Sequence, residues 1–169
     1  MLQKKICMLG TNAVGKTSLV RQFVDSIYAD KYHTTVAVKV DKKVVQVAGQ
    51  DVTLMLWDLY GDDEFQTLRM SFLRGASGYF LVADGTRRMT LDRALALDER
   101  VKATIGTVPV IVLLNKSDLA AGWEIDDAAE QSLRDRGWQV VRTSAKTGAG
   151  VEAAFQALAA AMLAGPGVA

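Results

Sequence analysis

Cysteine occurs once, as Cys7, and proline twice, as Pro109 and Pro166. A lone cysteine excludes a disulfide within the chain and suits a reducing compartment. Inside an apolar run, Cys7 reads as a small core residue rather than a reactive thiol. Neither sign of charge is in excess: 20 basic and 19 acidic residues leave a net charge of +1. That balance offers no electrostatic ground for binding nucleic acid or an anionic membrane. No apolar run is long enough to span a bilayer, and no secretory signal pattern is present, so a cytoplasmic protein is expected. The final residues, Ala164-Gly165-Pro166-Gly167-Val168-Ala169, hold no cysteine, so this chain is expected to carry no prenyl anchor of its own. There is no internal repeat and no low-complexity segment. What is present is apolar mass: half of the 169 residues are hydrophobic, enough for one domain around one core.

Strand-like and helix-like segments alternate, which predicts an α/β domain with a mostly parallel sheet. Residues 5–9 are a short apolar strand, and residues 18–24 a helix with Leu19 and Phe23 on one face. Residues 36–47 are extended, with Val36, Val38 and Val40 on one face by alternation. Ala48-Gly49-Gln50 separates them from a strand over 52–57, so a hairpin is expected and one of its strands should run antiparallel to the rest. Residues 58–75 read as a loop with a short helix. Residues 79–83 and 108–114 are continuous apolar runs, as for strands buried on both faces, with Pro109 near the start of the second. Helices are predicted over 91–105, 126–136 with Gly137 as its stop, and 151–162; a short strand is predicted at Val140-Val141. The last helix shows Val151, Phe155, Leu158 and Met162 at helical spacing, read as core packing.

Between the first strand and the first helix stands Gly10-Thr11-Asn12-Ala13-Val14-Gly15-Lys16-Thr17, which fits G-x-x-x-x-G-K-[ST]. Gly10 and Gly15 let the backbone curl so that its N–H groups point inward, and these, with the helix N-terminus, attract phosphate oxygens. Lys16 would reach the outer phosphates and the Thr17 hydroxyl would hold Mg²⁺. A phosphate loop does not name a base. Asn115-Lys116-Ser117-Asp118 follows directly on the 108–114 strand, at the edge where open α/β folds bind ligands. A carboxylate there accepts from both N1–H and the 2-amino group of guanine, a donor pair adenine lacks. Alone, N-K-x-D also describes a helix cap; placed at a strand end downstream of a phosphate loop it is far more specific. Asp58, ending the second hairpin strand, would anchor Mg²⁺ through water, and Gly61 would bring its N–H to a terminal phosphate. Thr35 precedes the edge strand, where a hydroxyl would complete the Mg²⁺ shell when a third phosphate is present; Thr34 is nearly as good on chemistry alone.

Together these residues resemble the Ras superfamily of small GTPases over about residues 4–162, and Trp57-Asp58 and Thr143-Ser144-Ala145-Lys146-Thr147-Gly148 resemble its Rab branch in particular. The resemblance implies a single GTP-binding domain over 1–164 with a short flexible tail at 165–169, and a six-stranded sheet in order 2-3-1-4-5-6 with strand 2 antiparallel and helices on both faces. It implies GTP or GDP and Mg²⁺ as bound groups. Gly10 to Ser18 would be the phosphate loop; Thr17 and Thr35, with Asp58, would serve the metal. Asn115, Lys116, Asp118 and the adjacent Leu119 would hold guanine; Ser144, Ala145 and Lys146 would present a backbone N–H to its oxygen, and Tyr28 would lie across the base. Lys16, Thr35, Gly61 and residue 62 would be the catalytic set. Loops at about 30–38 and 61–75 would be switches read by effectors, exchange factors or activating proteins, and the chain is expected to be monomeric, with no nucleic-acid partner.

Three departures from the family pattern matter. Where members usually read D-T-A-G-Q, this chain reads Asp58-Leu59-Tyr60-Gly61-Asp62, so Asp62 replaces the Gln that orients the attacking water. A carboxylate accepts from water but donates nothing to the phosphoryl group, and it adds negative charge beside an anionic transition state; slow intrinsic hydrolysis is expected. Asn12 stands where many members have Gly and would crowd an arginine arriving in trans. No lipid-bearing cysteine stands in the final residues, so the protein is expected to work in the cytosol, to be recruited by a partner, or to have a longer native tail. Arg69, Arg74, Arg87 and Arg88 are candidate charge donors among which the sequence does not choose. Trp57, Tyr60 and Phe65 are candidates for an apolar contact patch. A GTP/GDP switch with slow hydrolysis is the leading reading. A GTP-locked or nucleotide-insensitive scaffold is the alternative, and a phosphotransferase kinase is disfavoured by the guanine motif.

Overall fold

The computed structural model describes residues 2–26, 38–59 and 70–164. In chain order these form β1 (Leu2–Leu9), α1 (Lys16–Asp25), β2 (Val38–Val47), β3 (Gln50–Leu59), β4 (Gly78–Asp84), α2 (Arg88–Ile105), β5 (Val110–Asn115), α3 (Asp127–Asp135), β6 (Val140–Arg142) and α4 (Val151–Ala164), with single 3₁₀ turns at Met70–Leu73 and Ala120–Gly122. One six-stranded sheet runs in the order β2-β3-β1-β4-β5-β6. All neighbouring strands pair in parallel except the β2–β3 hairpin, as the sequence predicts.

The period-two side-chain alternation of strands divides the apolar residues between two faces. Ile6, Met8, Leu54, Leu56, Phe80, Val82 and Leu113 face α1 and α4. Cys7, Leu9, Tyr79, Leu81, Val112 and Leu114 face α2 and α3. On the first face Phe155 of α4 stacks on Phe23 of α1 at 3.9 Å between ring centroids and meets Phe80 edge-on at 4.8 Å. Burying each such ring contributes about 2–3 kcal/mol. Val151, Phe155, Leu158 and Met162 are all buried, so the helical stripe is core, and Cys7 is fully buried. Burial, slightly offset by Lys5, pushes the Cys7 thiol up to about 12.

Several boundaries differ from the sequence reading, each for a local reason. α1 begins at Lys16, directly on Gly15, so the phosphate-loop lysine is itself helical. α2 begins at Arg88, before the apolar periodicity starts, because the Glu124 carboxylate accepts from the Arg88 N–H at 2.7 Å and caps the helix from a distant segment. Asp126 is the cap of α3 rather than its first residue, accepting from the Ala129 N–H at 2.8 Å. Pro109 lies just outside β5, where its carbonyl accepts from Tyr79 N–H. On β2 the face carrying Val38 and Val40 is the outer one: Val40 and Val44 are 42% and 54% exposed, whereas Val45 and Val47 reach the core.

The register brings the C-terminal ends of four strands to one edge. Asp84 pairs with Asn115, so these two lie side by side, while Leu9 and Asp58, with Asp58 paired to Met8, stand near the same ends of the neighbouring strands. Every candidate site residue within the described segments hangs from that edge or from the loops leaving it.

Candidate nucleotide site

The loop from Gly10 to Gly15 leaves β1 and enters α1. Two of its glycines are required by close approach. A Cβ at Gly10 would stand 2.4 Å from the Val82 carbonyl oxygen, and one at Gly15 2.3 Å from the Asn115 amide nitrogen. Both have positive φ, 153° and 101°. Ala13 is also left-handed, at φ 63°, where a side chain costs about 1 kcal/mol or more. Lys16, on the first turn of α1, is 8% exposed and donates to the carbonyls of Gly10 and Thr11, both at 3.2 Å. Its ammonium is therefore held over the loop. Val14 is buried beneath the loop, while Asn12 and Ala13 are on its outside.

At the next position the Thr17 hydroxyl donates to Asp58 Oδ2. Asp58 is 1% exposed and reaches the loop because β1 and β3 pair in register. A hydroxyl and a carboxylate converging beside an ammonium make a hard-oxygen set suited to Mg²⁺. Thr17 and Asp58 thus fit the cation the sequence implies. Thr35, Tyr28, Gly61 and Asp62 lie outside the described residues, as do Tyr60, Phe65 and Arg69.

The base side is built around Asn115. It is 1% exposed; its amide donates to the Val14 carbonyl at 3.0 Å and its Oδ1 accepts from the Thr143 hydroxyl at 3.1 Å. One side chain thereby ties the phosphate loop to the 143–149 loop. Asp118 Oδ1 accepts from the Ser144 hydroxyl at 2.7 Å, which orients the carboxylate. Ser144 is fully buried and takes up its other surroundings within the loop, accepting from Thr147 N–H at 3.1 Å. The Ala145 carbonyl accepts from Gln22 of α1 at 2.8 Å. Gly15, Ser18, Asn115, Lys116, Asp118, Leu119, Ala145 and Lys146 enclose a cavity of about 190 Å³. Phosphate-loop and base-motif residues, about a hundred positions apart in sequence, therefore line one hollow.

A carboxylate that the sequence reading did not single out organises the rim. Asp84, the last residue of β4, is 1% exposed. It accepts from the Thr86 N–H and hydroxyl at 2.9 and 2.6 Å, from Arg87 Nε at 3.1 Å and from Lys116 Nζ at 2.9 Å. Burial alone would raise its pKa; the hydrogen bonds from Thr86, Lys116 and Arg87 overcome that and hold it at about 2. Lys116 Nζ also donates to the Ala13 carbonyl at 3.0 Å. The sequence signal was available: Asp84 ends a buried apolar run at the same edge as Asp58 and Asn115. Of the candidate arginines among the described residues (Arg74, Arg87 and Arg88), Arg87 is the one placed against the phosphate loop, with Nη2 on the carbonyls of Asn12 at 3.3 Å and Ala13 at 3.2 Å.

A family model described as Ras family matches residues 5–164. The GTP-binding protein YPTM1 of Zea mays is 33% identical over 160 residues, covering 94% of this chain and 77% of that protein. With the phosphate loop, the guanine-type motif and the 2-3-1-4-5-6 sheet on one scaffold, and with that match running over nearly its whole length, the chain belongs to the Ras family of small GTP-binding proteins.

Proposed function

We propose that this protein is a GTP/GDP switch whose intrinsic hydrolysis is slow. The observation that carries the reading is the joint between the two halves of the hollow. The Asn115 amide on the Val14 carbonyl fixes the phosphate loop relative to Asp118, whose carboxylate is itself oriented by Ser144. A guanine seated over Lys116 would offer N1–H and the 2-amino group to Asp118, and the triphosphate would run along the loop N–H groups toward Lys16. Thr17, Asp58 and, by resemblance, Thr35 would hold Mg²⁺, which when bound neutralises charge on the outer phosphates. Lys16 supplies a fixed positive charge at the same place without reorganisation.

Asp62 carries the slow-hydrolysis reading. It can accept a proton-bearing water but has no N–H to offer the phosphoryl oxygens. In a single-turnover assay on GTP-loaded protein, Asp62→Gln should hydrolyse faster than the native chain. Native hydrolysis as fast as a Gln-bearing relative and unchanged by Asp62→Ala would remove Asp62 from the mechanism. No conversion of bound GTP in any variant would favour the locked scaffold.

Partners would read the two switch loops. The outer face of the hairpin offers Val40 and Val44 among the described residues, with Val40 paired to Trp57 across the strands. Trp57 is half-buried, 6.4 Å from Phe72 and covered by the Lys5 ammonium at 3.6 Å. Of the three residues expected from sequence to form an apolar contact patch, only Trp57 is among the described residues; Tyr60 and Phe65 are outside them. No helix among the described residues is long and apolar enough to cross a membrane.

A further inference from the structure

We infer that Arg87 is a positioning residue for the phosphate loop: together with Lys116 it clasps the outward carbonyls of Asn12 and Ala13, and Asp84 holds both cations in place. The inference rests on the guanine-nucleotide reading above and names what sets the residence time of the nucleotide.

The geometry has three parts. The Ala13 carbonyl receives two cationic donors, Lys116 Nζ at 3.0 Å and Arg87 Nη2 at 3.2 Å. Both cations return to a single carboxylate oxygen, Asp84 Oδ2, at 2.9 and 3.1 Å. Asp84 is itself locked by Thr86 through Oδ1, so the anchor cannot swing away with its cations. The guanidinium fork suits this task, since Nε serves the carboxylate while Nη2 serves the loop.

The clasp falls where the loop needs it. Ala13 is held at φ 63°, a left-handed conformation that an alanine leaves readily when unrestrained. Turning its peptide would move inward-facing N–H groups away from the phosphates. Fixing the carbonyls from outside keeps the N–H groups aimed inside, because carbonyl and N–H of neighbouring residues share one peptide plane. Arg87 thus acts on the nucleotide through the loop backbone. Its place on carbonyls, on the outside of the loop, is not that of a charge donor to the phosphates. Arg74 and Arg88 show no such contact with the loop among the described residues, and Arg87 directly precedes α2 as its N-cap residue, so the clasp couples the loop to that helix.

The test is release of a fluorescent GDP analogue from the full chain with Mg²⁺ present, for the native protein, Arg87→Ala, Arg87→Gln and Arg87→Lys. A partly exposed, charge-assisted contact should change the release rate by roughly ten-fold on removal. Arg87→Ala and Arg87→Gln should release about ten-fold faster. Arg87→Lys, which keeps the charge but not the fork, should fall between them and the native chain. The association rate of the analogue should change less than two-fold, so that the loss lies in the residence time of the nucleotide rather than in the fraction of chain able to bind it. Release rates within two-fold of native in all three variants would overturn the inference. So would a fall in bound-state hydrolysis with release intact, which would make Arg87 a charge donor instead. Failure of the native chain to bind GDP at all would sink the parent reading, a different result from an unchanged release rate.

Discussion

Replacing Asn115 by Asp changes almost no volume and removes one donor. The native amide gives a hydrogen bond of 3.0 Å to the Val14 carbonyl, in a residue 1% exposed. The carboxylate of Asn115→Asp can still accept from the Thr143 hydroxyl, which donates to Oδ1 at 3.1 Å in the native chain. What it cannot do, while ionised, is donate to Val14. Stranding the buried carbonyl costs about 1–3 kcal/mol. If all of it fell on nucleotide binding, affinity would drop by about five-fold to a hundred-fold or more at 1.4 kcal/mol per decade. Part will fall on global stability instead, because Asn115 also joins the phosphate loop to Thr143. The expected result is at least about five-fold faster GDP release in a stopped-flow displacement assay, together with a lower melting temperature of the nucleotide-free chain. Thr143→Val removes the other bond and should have the smaller effect on release, since it leaves the Val14 contact intact. Release from Asn115→Asp within two-fold of native would mean that the Val14 contact does not order the loop, and the joint between base site and phosphate site would have to be sought elsewhere.

Two further outcomes follow from buried polar groups away from the phosphate loop's inner surface. Tyr79 is fully buried and its hydroxyl donates to Asp98 Oδ1 at 2.5 Å, while Asp98 also meets Lys102 at 3.0 Å. Burial and the Asp98 contact push the phenol well above its ordinary range, so it remains a donor. Tyr79→Phe should cost about 1–3 kcal/mol and lower the melting temperature by roughly 3–8 °C, with bound-state hydrolysis unaffected; no shift would mean that Asp98 is satisfied without it. Asp84 is held at about 2, below its ordinary 3.8. A carboxyl with a depressed folded pKa contributes stability above its unfolded value and loses it as pH falls through the folded one. The contribution of Asp84 is therefore complete above about pH 4 and lost toward pH 2, and Asp84→Asn should flatten acid unfolding in that window. An identical acid profile in the variant would place the acid sensitivity on other carboxylates.

The parts of this protein that were legible from sequence are those encoded locally. The glycine-lysine loop between a strand and a helix, the N-K-x-D run at a strand end and the hairpin turn at residues 48–50 each announce themselves within a few residues, and the alternation of apolar runs orders the sheet around them. Thr17 and Asp58, forty-one positions apart, meet because β1 and β3 are parallel and in register. What escaped the sequence depends on tertiary partners. The start of α2 is capped by Glu124, far along the chain, so no local pattern marks Arg88. The valines of β2 alternate as for a half-buried strand, but β2 is an edge strand, and among the described residues nothing covers Val40 and Val44, which are 42% and 54% exposed. Asp84 and Arg87 look like an ordinary strand end and a surface cation until the register sets Asp84 beside Asn115 and the chain turn lays Arg87 across the carbonyls of Asn12 and Ala13.

The central claim is that the hollow between the phosphate loop and Asp118 takes guanine and that the chain turns over what it binds. Chromatography of the nucleotide released from freshly purified protein, with its stoichiometry, tests both at once. GDP near one per chain is the expected result. GTP near one per chain would keep the site but contradict turnover, leaving a locked binder, and ATP or an empty site would contradict the guanine assignment itself.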